Sequence, residues 1–76
     1  MTRKHFETIA ISLGYQMRNA YNGSAPWYTI LGVARNLASD LRATNPRFDP
    51  DRFVEFVLDV AEGRRDLEGK KIKGAA

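Results

Sequence analysis

Asn45-Pro46-Arg47-Phe48-Asp49-Pro50-Asp51-Arg52-Phe53 sets a helix stop and a helix start back to back. Pro46 pushes Asn45 toward extended backbone, so the preceding helix ends near Thr44. Asp49 offers a carboxylate as N-cap, Pro50 brings a fixed φ to the first helical position, and Phe48 and Phe53 occupy the two positions of a hydrophobic staple. Asp51 stands at the positive end of the helix dipole. These roles account for nearly every unusual residue in the stretch, which therefore reads as a structural joint. Arg47 and Arg52 are left as partners for helix-terminal carbonyls or nearby carboxylates.

Downstream of the joint, Phe53, Phe56, Val57 and Val60 recur at helical spacing, Val54, Leu58 and Ala61 widen the stripe, and Gly63 supplies a C-terminal stop. The arc is wide enough to contact two neighbours. Beyond it, residues 64–76 contain Gly69 and Gly74 and offer only Leu67 and Ile72 for burial. They read as a mobile tail, with continuation of the third helix through Leu67 as the alternative.

Upstream, a second helix begins near Pro26, taken as its first position, with Ser24 or Ala25 as cap. Trp27, Ile30, Leu31, Ala34, Leu37, Ala38 and Leu41 share one face of it, and it is expected to be the central, most buried helix. A first helix over about Arg3 to Tyr21 carries Phe6, Ile9, Ala10, Leu13, Met17, Ala20 and Tyr21 on one face, with Thr2 as N-cap and Met1 placed to staple against Phe6. Gly14 is its weak point, costing about 1 kcal/mol against alanine unless something packs close to it. Asn22-Gly23-Ser24-Ala25-Pro26 ends this helix. Short links favour antiparallel neighbours, so the expected fold is all-α: a compact three-helix bundle over residues 1–63 with a basic C-terminal tail over 64–76.

The composition agrees with one small globular domain. The chain has 76 residues, 43% of them hydrophobic, and no cysteine, so disulfides, thiolate metal sites and cysteine nucleophiles are excluded. No run resembles a signal peptide or approaches the roughly 20 apolar residues of a membrane span, and a cytoplasmic home is the expectation. Through Gly63 the cations Arg3, Lys4, Arg18, Arg35, Arg42, Arg47 and Arg52 are matched one for one by Glu7, Asp40, Asp49, Asp51, Glu55, Asp59 and Glu62. The net charge of +3 therefore comes from the tail.

Catalysis finds little footing: His5 is the single histidine and lies at the chain start. Asp51, Glu55, Asp59 and Glu62 line one side of the third helix, but a solvated face explains them better than a metal site. Neither metal nor cofactor is expected, and the chain reads as non-enzymatic. Opposite the core stripe of the first helix, Lys4, Ile11, Tyr15, Arg18 and Asn22 lie within a narrow arc, and the first four set an aliphatic and an aromatic group beside two cations, the make-up of interface centres. These four are the candidate partner-binding residues, for a host protein or for a second copy in a homodimer. The bland reading is that Ile11 and Tyr15 cover a bundle edge or meet the tail. A nucleic-acid reading would use Arg35 and Arg42 on the outer side of the second helix with Arg64, Arg65, Lys70 and Lys71 of the tail following phosphates. It is weakened by the neutral body and by Pro46 and Pro50, which preclude a tight helix-turn-helix.

The opening Thr2-Arg3-Lys4-His5-Phe6-Glu7-Thr8-Ile9-Ala10, taken with Ala43-Thr44-Asn45-Pro46-Arg47-Phe48-Asp49 and the following Arg52-Phe53, resembles a set of small uncharacterised helical proteins of actinobacterial phages and integrated elements. Those proteins end soon after the Arg-Phe pair in a short Cys-Gly type ending, whereas here the third helix continues and a basic tail follows. The resemblance implies a mobile-element origin and life inside a bacterium. No activity comes with it, but phage proteins of this size are commonly accessory factors that bind and redirect or inhibit a host or defence protein.

Overall fold

The computed structural model describes residues 3–21 and 26–72, and within them the chain forms three helices: α1 (Arg3–Tyr21), α2 (Trp27–Thr44) and α3 (Pro50–Ala61). All three pairs of helices pack on one another, α1 most extensively on α3, as expected of a three-helix bundle. Thr2, Met1, Ser24 and Ala25, read as capping and staple residues, lie outside the described residues, as does Asn22. No helix among the described residues is long and apolar enough to cross a membrane.

The joint has the anatomy its residues dictate. Asp49 is extended (φ −99°, ψ 99°) and its Oδ1 accepts a hydrogen bond from the Arg52 N–H at 3.1 Å, with Pro50 first in α3. Phe48 and Phe53 staple the entry with ring centroids 5.5 Å apart, and Phe48 also meets Phe6 of α1 edge-on at 4.7 Å. α2 closes with the Asn45 N–H donating to the Leu41 carbonyl at 2.9 Å. At the start of α2, Pro26 (φ −73°, ψ 107°) is the cap residue itself, so the helix begins at Trp27, one residue later than expected.

The core contains Ala10 and Met17 of α1, Ala34 and Ala38 of α2, Phe48 of the joint, and Phe53, Val57, Val60 and Ala61 of α3. The central helix is therefore α3, and the expectation that α2 would be the most buried is corrected: its fully buried residues are two alanines. Length supplies the reason. At 1.5 Å per residue α2 is about 27 Å long and α3 about 18 Å, so one end of α2 overhangs its partner. Trp27, on the core-facing side by period, is accordingly 42% exposed, and Tyr28 beside it 65%.

The tail is the larger departure. Through Ile72 it does not continue α3 but forms a tight hairpin folded back on the bundle. Gly63 takes φ 81° and turns the chain, the N–H groups of Arg64 and Arg65 donate to the Asp59 carbonyl at 2.7 and 3.1 Å, and Ile72 N–H donates to the Arg64 carbonyl at 2.9 Å. Arg65 and Lys71 pair across the hairpin, and Gly69 (φ 86°) sits in its turn. Leu67 and Ile72, the only large apolar residues available for burial, stay 52% and 43% exposed. Polar contacts to α3 hold the hairpin in place of a hydrophobic anchor.

Within the hairpin itself, Asp66 braces the turn. Its carboxylate accepts hydrogen bonds from the N–H groups of Glu68 (2.9 Å) and Lys70 (3.0 Å), and the Lys70 bond above all holds its carboxyl below the ordinary aspartate range. A carboxyl lowered in the folded state contributes stability that is present above its unfolded pKa and is lost as pH falls through the folded value. The hairpin is thus expected to open in acid below about pH 3.8, before the helices melt. Amide exchange of Glu68 and Lys70, followed by NMR during an acid titration, should accelerate ahead of α1 and α3. Simultaneous loss of all protection would show that Asp66 plays no such part.

Candidate functional site

The hairpin, the first turns of α1, the joint and the outer side of α3 enclose an open groove of about 510 Å³. Phe6 and Ala10 of α1, Phe48 of the joint and Phe53 and Phe56 of α3 form its floor. Phe48 and Phe53 are spent on the core, while Phe6 and Phe56 are half-buried and give the floor its accessible apolar surface. Arg3, Arg47, Arg52, Arg65 and Lys71 stand on the rim with Glu7, Asp49, Glu55 and Asp59.

The charges on that rim are not equally free. Arg3 pairs with Glu7 at 3.2 Å, one turn apart on α1. The Asp49 carboxylate caps α3. Asp59 is buried and accepts from Nε of Arg64 at 2.7 Å and Nε of Arg65 at 3.4 Å. Arg65 also donates from Nη1 to the Gly69 carbonyl at 2.7 Å and lies 4.3 Å over the Phe56 ring, a cation–π stack that ties the hairpin wall to the floor. Arg64 bonds Glu62 as well, and Asp59 first and Glu62 second hold its guanidinium above the ordinary arginine value. Arg47, Arg52 and Lys71 make no ion pair among the described residues, and Glu55 is the rim carboxylate with neither an ion pair nor a capping bond there. The groove thus combines an aromatic floor with surplus positive charge on its rim.

The residues singled out on α1 do not form one open patch. Ile11 is half-buried and meets the hairpin: a Cβ built on Gly69 would lie 3.4 Å from its Cδ1 and 3.0 Å from Phe56 Cζ. Arg18 is half-buried, its Nη2 3.0 Å from the place a Cβ on Gly63 would take. Tyr15 is 42% exposed and Lys4 is exposed, but they stand about 16 Å apart along α1. The tail meets this face at Ile11, as the blander reading of the sequence had it.

The phosphate-following set is similarly dispersed. Arg64 and Arg65 are engaged by Asp59, Arg42 donates to the Phe48 carbonyl at 3.4 Å, and Lys70 lies 3.9 Å from Glu68. Arg35 and Lys71 are exposed and lie on α2 and on the hairpin. The acidic line on α3 is corrected in one respect: Asp59 does not belong to a solvated face but to the hairpin's anchor. Among the described residues no three His, Asp or Glu side chains are grouped as metal ligands would be.

The joint residues that build the groove passed in the sequence as a capping device because each had a sufficient local job. What they do together depends on the hairpin, whose Arg65 and Lys71 supply the opposite wall, and no spacing in the sequence announces that wall. The surplus of Arg47 and Arg52 after the caps were assigned was the one signal available. No family model, curated protein or solved structure matches the chain.

Proposed function

We propose that the chain is a non-enzymatic protein-interaction module, an accessory protein of a phage or integrated element that binds a host or defence protein in the bacterial cytoplasm. The groove between α1, the joint, α3 and the hairpin carries this reading. Its accessible floor is aromatic and its free rim groups are mainly guanidinium and ammonium. Arginine stays protonated at any working pH and so serves neither as base nor as nucleophile, but it is among the residues most used at the centres of interfaces. The mobile-element setting rests on the segments Thr2–Ala10 and Ala43–Phe53 quoted above. Of the residues first read as partner-binding, Tyr15 and Lys4 remain accessible to a second contact.

The test is reconstitution. Tagged full-length chain expressed in an actinobacterial host should retain a specific protein in stoichiometric amount, and the two purified components should reassociate in calorimetry. Retention of nucleic acid with no protein, or of nothing above the level of an unrelated tagged helical protein, would refute the reading.

A further inference from the structure

We infer that the groove receives a short acidic segment of the partner protein, anchored by one aromatic or branched aliphatic side chain laid on Phe6 and Phe56; this rests on the protein-binding reading above. The anchor follows from the floor. Phe6 and Phe56 leave ring surface open between walls, and covering it removes apolar area from water on both partners.

The acidic character follows from the rim. Arg47 and Arg52 rise from the joint and the first turn of α3, Lys71 rises from the hairpin opposite, and none of the three is in an ion pair among the described residues. Glu55 and Asp49 oppose them, Asp49 keeping its negative charge while it caps α3; with Glu7 paired with Arg3 and Asp59 holding the hairpin, the three cations exceed the two remaining carboxylates by one. A basic segment would meet three unsatisfied cations, whereas an acidic one satisfies them and is steered in by them. The opening argues for a chain over a small molecule. Sites for small ligands enclose most of the ligand's surface, whereas this groove is only partly enclosed and leaves part of any occupant in water.

Selection of short random peptides displayed against the full-length chain tests the inference. Enriched peptides should carry Asp or Glu on both sides of a Trp, Phe, Leu or Ile. A synthetic copy of the strongest should bind in fluorescence anisotropy, weaken with added salt, and lose binding when lysine replaces its acidic residues. The double variant Arg47→Gln/Arg52→Gln should weaken it about tenfold, since each exposed pair contributes up to a few-fold. Both side chains are exposed and lack partners among the described residues, so the fold should survive, as circular dichroism will show. Tyr28→Ser, at an exposed position of α2 that does not line the groove, should leave peptide binding unchanged. Absence of enrichment, enrichment of neutral or basic peptides, or equal binding by the double variant overturns the inference. A protein partner that reassociates equally with wild type and the double variant would leave the module reading standing and remove this one, whereas absence of any partner removes the module reading itself.

Discussion

Replacing Gly14 by alanine is expected to destabilise the protein by about 2 kcal/mol, although the same change in an unencumbered helix stabilises by about 1 kcal/mol. Gly14 is buried where α1 crosses α3. A Cβ there would fall 2.6 Å from Val60 Cβ, 2.7 Å from the Val57 carbonyl oxygen and 2.8 Å from Val60 Cγ1. Two of these obstacles belong to backbone or to a Cβ fixed to it, so no rotamer change relieves them and α1 must move away from α3. Truncating Val60 to alanine should therefore fail to rescue the variant, because the Cβ and the carbonyl both remain. Gly32 is the internal control, since nothing lies within 4 Å of its added Cβ and Gly32→Ala should stabilise by about 0.5–1 kcal/mol. Urea melts of the two variants should shift in opposite directions. In a domain of this size 2 kcal/mol lowers the melting temperature by roughly 10 °C. If both glycine replacements stabilise, the close crossing of α1 and α3 is wrong.

Gly14 also marks how far the sequence can be read. Inside a strong helical period it read as a weak point that only close packing could offset, and the sequence did not say whether any element approached it. The caps and staples were fully legible because they are local: Asp49, Pro50, Phe48 and Phe53 act within one turn of each other, and the structure places each in its role. The ranking of the helices was not legible. Trp27 lies on the correct face by period yet stands exposed, because burial depends on how far the neighbouring helices extend and periodicity carries no information on that. The hairpin was least legible of all. Residues 64–72 lack an apolar stripe, and the force that orders them is a carboxylate on α3 indistinguishable in sequence from Asp51, Glu55 and Glu62 around it. Since one wall of the groove belongs to that hairpin, the site could not be read before the fold was in hand.

Asp59 is therefore the residue whose loss should separate fold from site. Its carboxylate accepts from Arg64 and Arg65, and its own main-chain carbonyl accepts from the N–H groups of the same two residues. Asp59→Asn keeps the main-chain bonds and the volume but removes the charge, leaving two cations beside a neutral amide that competes poorly with water. Breaking a fully buried pair in this way costs about 3–5 kcal/mol. Here the Asp59 side chain is 12% exposed and its partners are 43% and 21% exposed, so water recovers part of the loss and about 2 kcal/mol is expected. The damage should be uneven. Amide protection in residues 64–72 should collapse to that of an open segment while α1 and α3, whose mutual core does not involve the hairpin, keep theirs until global unfolding. Arg65 should leave the Phe56 ring and Lys71 the groove rim, so the acidic peptide should bind several-fold more weakly to a protein that is still helical by circular dichroism. Unchanged protection at Ile72 N–H in Asp59→Asn would mean that the main-chain bonds suffice to hold the hairpin and that the groove's wall stands without its charge anchor.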